Sequence, residues 1–347
     1  MAIEKYFKEC IDKKASDLHL IEGSHPTLRI DGVLVSISDQ AIPTDFVKKE
    51  MYALLSKTMI ASFEEELDLD FSYEFFGSRF RINLHRQKGR SAITARLISN
   101  TFSSVDDLNF TEAMKNLARL KDGLVLFTGP TGSGKSTSLA AIIQSINSER
   151  SAHIITIEDP IEYVFTDNKS IIEQRELGQD TPTFHKALKY TLRQDPDVIM
   201  VGEMRDLETI SAALTAAETG HVVLSTLHTN TAAETIDRIV DIFPAHQQQQ
   251  ILIQLASSLR AVISQQLIPK PKGGRVAAFE ILVNTGAIAN LIRTNKSAQI
   301  PSTIQTGSRD GMIMMNKSIE NLVKDKLIDQ ATADKYKRSG STKAMYC

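Results

Sequence analysis

The sequence predicts an α/β protein in two parts. A small α+β domain comes first, followed by a core of alternating buried strands and helices with a helical tail. Three observations predict this. Before about residue 100, short runs alternate polar and apolar residues, as half-buried antiparallel strands do. After it, continuous apolar runs alternate with helical patterns, as in a parallel sheet covered on both faces. Between the first strand and first helix of that second part lies a complete glycine-rich phosphate-binding motif.

The first domain spans residues 1–99. Its strand-like runs are Asp17–Ile21, Thr27–Ile30, Gly32–Ile37, Asp68–Tyr73, Ser78–Leu84 and Ala92–Ile98. Asp45–Leu55 and Lys57–Glu66 read as helices between them. A linker follows at 100–110, where Asn100–Asp107 is polar and rich in turn formers.

The core spans 111–285. Its expected strands are Leu124–Thr128, His153–Ile157, Val198–Val201, Val222–Thr226 and Val276–Leu282, all suited to a parallel sheet. Leu207–Glu218 places Leu207, Ile210, Leu214 and Ala217 on one helical face, and Gly220 follows as a stop. Gln247–Gln266 reads as one long helix, with Ile251, Leu255, Leu259 and Val262 at helical spacing. Residues 286–347 form a mostly helical C-terminal region. Across the junction, Asn284–Thr294 reads as a short helix, with Ile288, Leu291 and Ile292 on its packed face and Ala289 and Thr294 on an exposed one.

Gly129, Pro130, Thr131, Gly132, Ser133, Gly134, Lys135, Ser136 and Thr137 satisfy G-x-x-x-x-G-K-[ST] in full. The context fits: Leu124–Thr128 is a buried strand, and Ser138–Asn147 is a helix with Leu139, Ile142, Ile143 and Ile146 apolar. The glycines let backbone N–H groups approach phosphate oxygens, and the positive end of the helix adds to the attraction. Lys135 then reaches the β- and γ-phosphates, and Ser136 holds Mg²⁺. The expected cofactors are ATP and Mg²⁺.

Hydrolysis needs more than a phosphate cradle; a carboxylate must position or deprotonate the attacking water. Pro196–Glu203 offers one, because an apolar strand ending in Gly-Glu carries Glu203 to the carboxyl edge of the sheet, where α/β sites lie. Ile157–Glu162 closes another strand with three acids, and Glu158 is the next candidate, to orient water or Mg²⁺; Glu162 is a weaker one beside the turn-forming Asp159-Pro160. His221 and His228 bracket a further strand; His228, at its end, is a candidate γ-phosphate sensor, and His221 a candidate nucleotide-binding residue. Arg193, Arg205, Arg79, Arg81 and Arg96 are candidates to cancel charge on a transferring phosphoryl group, some of them from a neighbouring subunit.

Composition narrows the function classes. The 347 residues carry a net charge of −2, which argues against nucleic acid as a partner. The two cysteines, Cys10 and Cys347, stand near opposite ends, so no zinc site or disulfide framework is implied. No apolar run approaches the roughly 18 residues of a membrane span, and no signal peptide is evident. The expectation is a soluble, cytoplasmic protein without direct membrane insertion.

Assembled, these residues resemble the secretion-superfamily motor ATPases, most closely the PilT-type pilus retraction ATPases. The similarity runs from the Ser16–Leu20 and Leu28–Gly32 region to about Lys337, and its most specific stretch is Leu192–Asp206. Ala216–His221 through Ser225–Asn230 looks like the family's His box, and Ile154–Glu162 like its Asp box. The resemblance implies a PAS-like N-terminal domain, a RecA-like motor domain and a homohexamer with nucleotide between subunits. It also implies a pilus platform protein in the inner membrane as partner, a place at the inner face of that membrane, and Glu203 as the catalytic glutamate. Arg81 and Arg96 would then approach a neighbour's nucleotide. Assembly ATPases usually carry an extra N-terminal domain and four zinc-binding cysteines, and this sequence has no such cysteines. The family's AIRNLIRE segment corresponds to Ala287–Thr294, with Ala289 and Thr294 replacing the first Arg and final Glu. That departure leaves room for an accessory retraction paralogue, acting alongside a paralogous retraction ATPase. An assembly or secretion ATPase, a DNA-translocating motor and a non-hydrolysing regulatory module remain the alternatives.

Overall fold

The structure is a computed structural model that describes residues 2–98 and 101–337. Cys347 and the start of the expected linker at Asn100 lie outside the described residues. Close packing divides the chain into two units. One comprises residues 1–101 with 160–164; the other comprises 102–159 with 165–347.

The first unit is built on one six-stranded antiparallel sheet. Its elements are α1 (Glu4–Asp12), β1 (Asp17–Ile21), β2 (Thr27–Ile30), β3 (Val33–Ser36), α2 (Phe46–Tyr52), α3 (Lys57–Glu66), β4 (Asp68–Phe75), β5 (Ser78–Gln87) and β6 (Arg90–Leu97). The strand order is β3-β2-β1-β6-β5-β4. Period-two alternation turns Leu18, Leu20, Leu28, Phe80, Ile82 and Leu84 to one face, where they bury with Phe7 of α1, Val47 and Met51 of α2 and Phe63 of α3. Phe7 stacks on Phe75 at 3.9 Å between ring centroids. The other parity puts Asp17, Arg96 and Arg81 side by side across β1, β6 and β5.

The second unit is a seven-stranded sheet of order β13-β12-β7-β11-β10-β8-β9. Its strands are β7 (Gly123–Thr128), β8 (His153–Glu158), β9 (Ile171–Glu176), β10 (Val198–Val201), β11 (Val222–Leu227), β12 (Leu259–Pro269) and β13 (Arg275–Val283). Its helices include α4 (Glu112–Lys115), α5 (Lys135–Glu149), α6 (Phe184–Thr191), α7 (Leu207–Glu218), α8 (Ala232–Asp241), α9 (Ala245–Ser258) and α10 (Gly286–Arg293). Alternate strand residues feed two separate cores. Leu124, Leu126, Ile199, Val201 and Val262 pack with α7, α8 and α9 on one face. Val125, Phe127, Val198, Met200 and Ile263 pack with α4 and α5 on the other. The tail beyond α10 is helical, with α11 (Ile300–Thr306), α12 (Met315–Lys324) and α13 (Gln330–Tyr336). Among the described residues no helix is long and apolar enough to cross a membrane.

Three expectations are corrected. The helix expected over Gln247–Gln266 ends at Ser258, and the chain continues directly as β12. Leu259 turns extended, with ψ 136°. From there Ala261 and Ile263 feed one core and Val262 the other, which only a strand between two strands achieves. Val276–Leu282 lies within β13, which runs antiparallel to β12 rather than extending the parallel set. Ala289, placed on an exposed helix face, is half-buried against the α9 core, whereas Thr294 is exposed.

Candidate active site

β7, β8, β10 and β11 run parallel, so their last residues reach one edge of the sheet together. Thr128, Glu158, Val201 and Leu227 end these strands, so the expected phosphate loop, Glu158, Glu203 and His228 all stand at or just beyond this edge.

The loop after β7 is shaped by glycine. Gly129, Gly132 and Gly134 adopt φ of 141°, 77° and 90°, a region L side chains resist. Gly129 is also hemmed in: a Cβ there would stand 2.4 Å from the Gln265 carbonyl oxygen. The loop runs straight into α5. Helices α7, α8 and α10 are capped by the side chains of Asp206, Thr231 and Thr285, but α5 starts at Gly134 with no side-chain acceptor. Its first-turn N–H groups therefore face the loop as donors for an anion. Lys135 is buried, and its Nζ donates to the carbonyls of Gly129 at 2.8 Å and Pro130 at 3.1 Å. The ammonium is thus folded into the cradle. Ser136 and Thr137 are half-buried on the next residues, Ser133 is buried, and Thr131 is exposed at the loop tip. Three positive-φ glycines, an uncapped helix start and an enclosed ammonium form a donor set that fits a polyphosphate.

Sequence reasoning missed the support beneath this loop. Gln265 on β12 is buried; its Nε2 donates to Ser133 O at 2.7 Å, and its Oε1 accepts from Ser138 Oγ at 2.7 Å. Thr128 and Ser264 share a buried hydroxyl contact at 2.8 Å. The one available signal was the polar Gln265-Gln266 pair inside the apolar run Leu259–Ile268; helical spacing hid it.

Glu203 follows β10 and is tied in from both sides. Gly202 N donates to Ile157 O at 2.8 Å on β8, and Met204 N to Thr226 O at 3.2 Å on β11. Thr226 Oγ1 also donates to Gly202 O at 2.7 Å. The Glu203 carboxylate, 15% exposed, meets Arg205 Nε at 2.7 Å and His228 Nε2 at 3.4 Å, both on Oε2. The structure therefore brings Glu203, Arg205 and His228 together. Glu158, at the end of β8, is buried; its Oε1 accepts from Thr156 Oγ1 at 2.7 Å and Gln174 Nε2 at 3.1 Å.

Other expected site residues stand elsewhere. His221 precedes β11, with Nδ1 3.0 Å from Ala216 O and 3.2 Å from Thr219 Oγ1. Val222 is paired with Gly123 and Leu227 with Thr128, so His221 lies a strand's length, roughly 20 Å, from the loop edge. Within one chain it does not reach the cradle. Arg81 and Arg96 belong to the N-terminal unit, where Arg81 lies 3.6 Å from Asp70 and Arg96 2.9 Å from Asp17. Burial would push the Asp17 carboxyl up, but hydrogen bonds from Ser16 and Arg96, with the Arg96 charge, hold it below its ordinary value. Among the described residues no group of three or more His, Cys, Asp or Glu side chains is arranged to hold a metal ion.

The family described as type II/IV secretion system protein matches residues 1–341. The chain is 47% identical, over 92% of its length and 93% of the relative's, to the type IV pilus retractation ATPase PilT of Pseudomonas aeruginosa. It is 37% identical, over 93% of its length and 85% of the relative's, to the type IV pilus ATPase PilU of the same organism. Among solved structures it is similar to the pilus retraction motor PilT with bound ADP, at 47% identity, TM-score 0.89 and 97% coverage of both chains.

Proposed function

We propose that this chain, which belongs to the type II/IV secretion system protein family, is an ATP-hydrolysing motor that drives type IV pilus retraction. The observation that carries this reading is the placement, at one sheet edge, of a complete phosphate loop and a carboxylate fixed by both neighbouring strands. The loop amides and Lys135 hold the β- and γ-phosphates of ATP. Glu203 accepts a proton from the water that attacks the γ-phosphorus, the P–O bond to ADP breaks, and phosphate leaves. His228 and Arg205, already on Glu203, lie where they can follow the γ-phosphate through the reaction. Mg²⁺ fits as the usual partner of such a nucleotide; Ser136 would hold it with phosphate oxygens, and Glu158 would orient its surroundings, supplying charge neutralisation at the transferring group.

In this reading the N-terminal unit is PAS-like and the second unit RecA-like, with domains at 1–99 and 111–285, a linker at 100–110 and a helical region at 286–347. Six copies form a ring, and Arg81 and Arg96 serve a neighbour's nucleotide after leaving Asp70 and Asp17. An inner-membrane platform protein receives the force, which places the ring at the cytoplasmic face of that membrane. Identity is higher to PilT than to PilU, which supports the principal motor over the accessory paralogue. Deleting the gene and imaging the cells tests the direction of work. Hyperpiliated cells that cannot twitch are expected; bald cells would mean assembly instead.

A further inference from the structure

We propose that Gln265 is a positioning residue that aims the backbone N–H of Gly134 at the nucleotide phosphate; this rests on the phosphate-loop reading above. In a trans peptide the C=O and N–H of one unit point in opposite directions. The Ser133 carbonyl is held outward by Gln265 Nε2 at 2.7 Å. The N–H of that same peptide, which belongs to Gly134, therefore points away from Gln265 and into the concavity of the loop. Nothing local would keep it there. Gly134 sits at φ 90°, and a glycine accepts φ of either sign almost equally, so this peptide could flip at low cost. A flip would replace a donor by a carbonyl oxygen facing the phosphate.

The Gln265 side chain is itself fixed. The Ser133 carbonyl can only accept, so the amide nitrogen must face it, and Ser138 Oγ donates to the remaining Oε1 at 2.7 Å. Ser138 lies in the first turn of α5, four residues beyond Gly134, so strand, loop and helix are closed into one hydrogen-bonded ring. The Gln265 backbone acts as a second stop, since its carbonyl oxygen is what a Cβ at Gly129 would meet at 2.4 Å. Gln265 is 3% exposed, and its side-chain amide is held by Ser133 and Ser138. It acts through the loop, so its loss should weaken phosphate binding more than chemistry.

Gln265→Met keeps the volume and removes the donor. A donor aimed at a charged group is typically worth about tenfold or more in affinity. The expected result is ADP affinity weakened about tenfold, adenosine affinity within about twofold, and KM for ATP raised about tenfold with kcat within about threefold. Ser138→Ala frees the amide to rotate and should weaken ADP about threefold; it decides the matter if Gln265→Met does not fold. ADP affinity within twofold of wild type in folded Gln265→Met, or in Ser138→Ala where that is the deciding variant, would overturn the proposal. So would an equal loss of adenosine. Lys135→Ala separates the two readings. If it loses ADP while Gln265→Met retains it, only the brace fails; if it retains ADP, the phosphate loop reading fails with it.

Discussion

Arg205 Nε lies 2.7 Å from Oε2 of Glu203, and the arginine side chain is 74% exposed while the glutamate is largely enclosed. An exposed cation therefore rests on the carboxylate of the proposed base. With its cation exposed to water, the pair contributes less than about 1 kcal/mol to stability, so the contact adds little to the fold. Arg205→Gln should leave unfolding stability within about 1 kcal/mol and lower ATP turnover about tenfold or more, as loss of a transition-state charge contact does. Turnover within twofold of wild type would remove Arg205 from the catalytic set.

Glu203→Gln keeps the shape and the backbone ties through Gly202 and Met204. It removes the basic oxygen. ATP should still bind, and turnover should fall at least ~10²-fold, the scale of losing a general base. A drop below threefold would pass the role to Glu158.

Arg96 and Asp17 give a pH signature in the N-terminal unit. The folded-state carboxyl of Asp17 is held below its ordinary 3.8, so the pair's stabilisation is present above that value and is lost as pH falls through the folded one. Arg96→Ala should lower stability by less than about 1 kcal/mol at pH 7, and the gap to wild type should close below the folded-state value. Urea midpoints at several pH values measure this; a gap that widens in acid would contradict it.

Much of the fold was legible because its elements carry strong local patterns. The α7 and α3 ranges match the expected Leu207–Glu218 and Lys57–Glu66; in α7 the spacing of Leu207, Ile210, Leu214 and Ala217 carried the reading, and in the structure Asp206 and Ser56 cap the two helices. The phosphate loop was legible because it needs glycines at fixed positions. β12 was not, since Leu259 and Val262 continue the helical period of Ile251 and Leu255 by coincidence, while in the structure they pair with neighbouring strands. That error hid Gln265. β9 escaped because Ile171–Glu176 is an edge strand with charged, half-exposed residues and no apolar run. His221 stands at the start of β11 and His228 just beyond its end, so the strand read between them holds the two at opposite edges of the sheet.

Helix α10 tests the altered C-terminal segment. Thr294 is exposed at its C-terminal end, where a carboxylate opposes the helix dipole, so Thr294→Glu should cost about 0.5 kcal/mol. Ala289 is half-buried, so Ala289→Arg with Thr294→Glu should cost about 1–2 kcal/mol in all. ATP turnover should stay within about threefold. Thermal unfolding and phosphate release measure the two quantities, and a large loss of turnover would move this helix into the catalytic ring.

The most direct measurement is phosphate release from ATP by purified protein carrying Lys135→Ala beside the wild type. Lys135 Nζ sits inside the loop on the Gly129 and Pro130 carbonyls, and in the proposed function it is the cation that meets the β- and γ-phosphates. The expected result is turnover abolished and nucleotide binding weakened in a folded protein. Hydrolysis near the wild-type rate would contradict the assignment of this chain as a phosphate-loop motor.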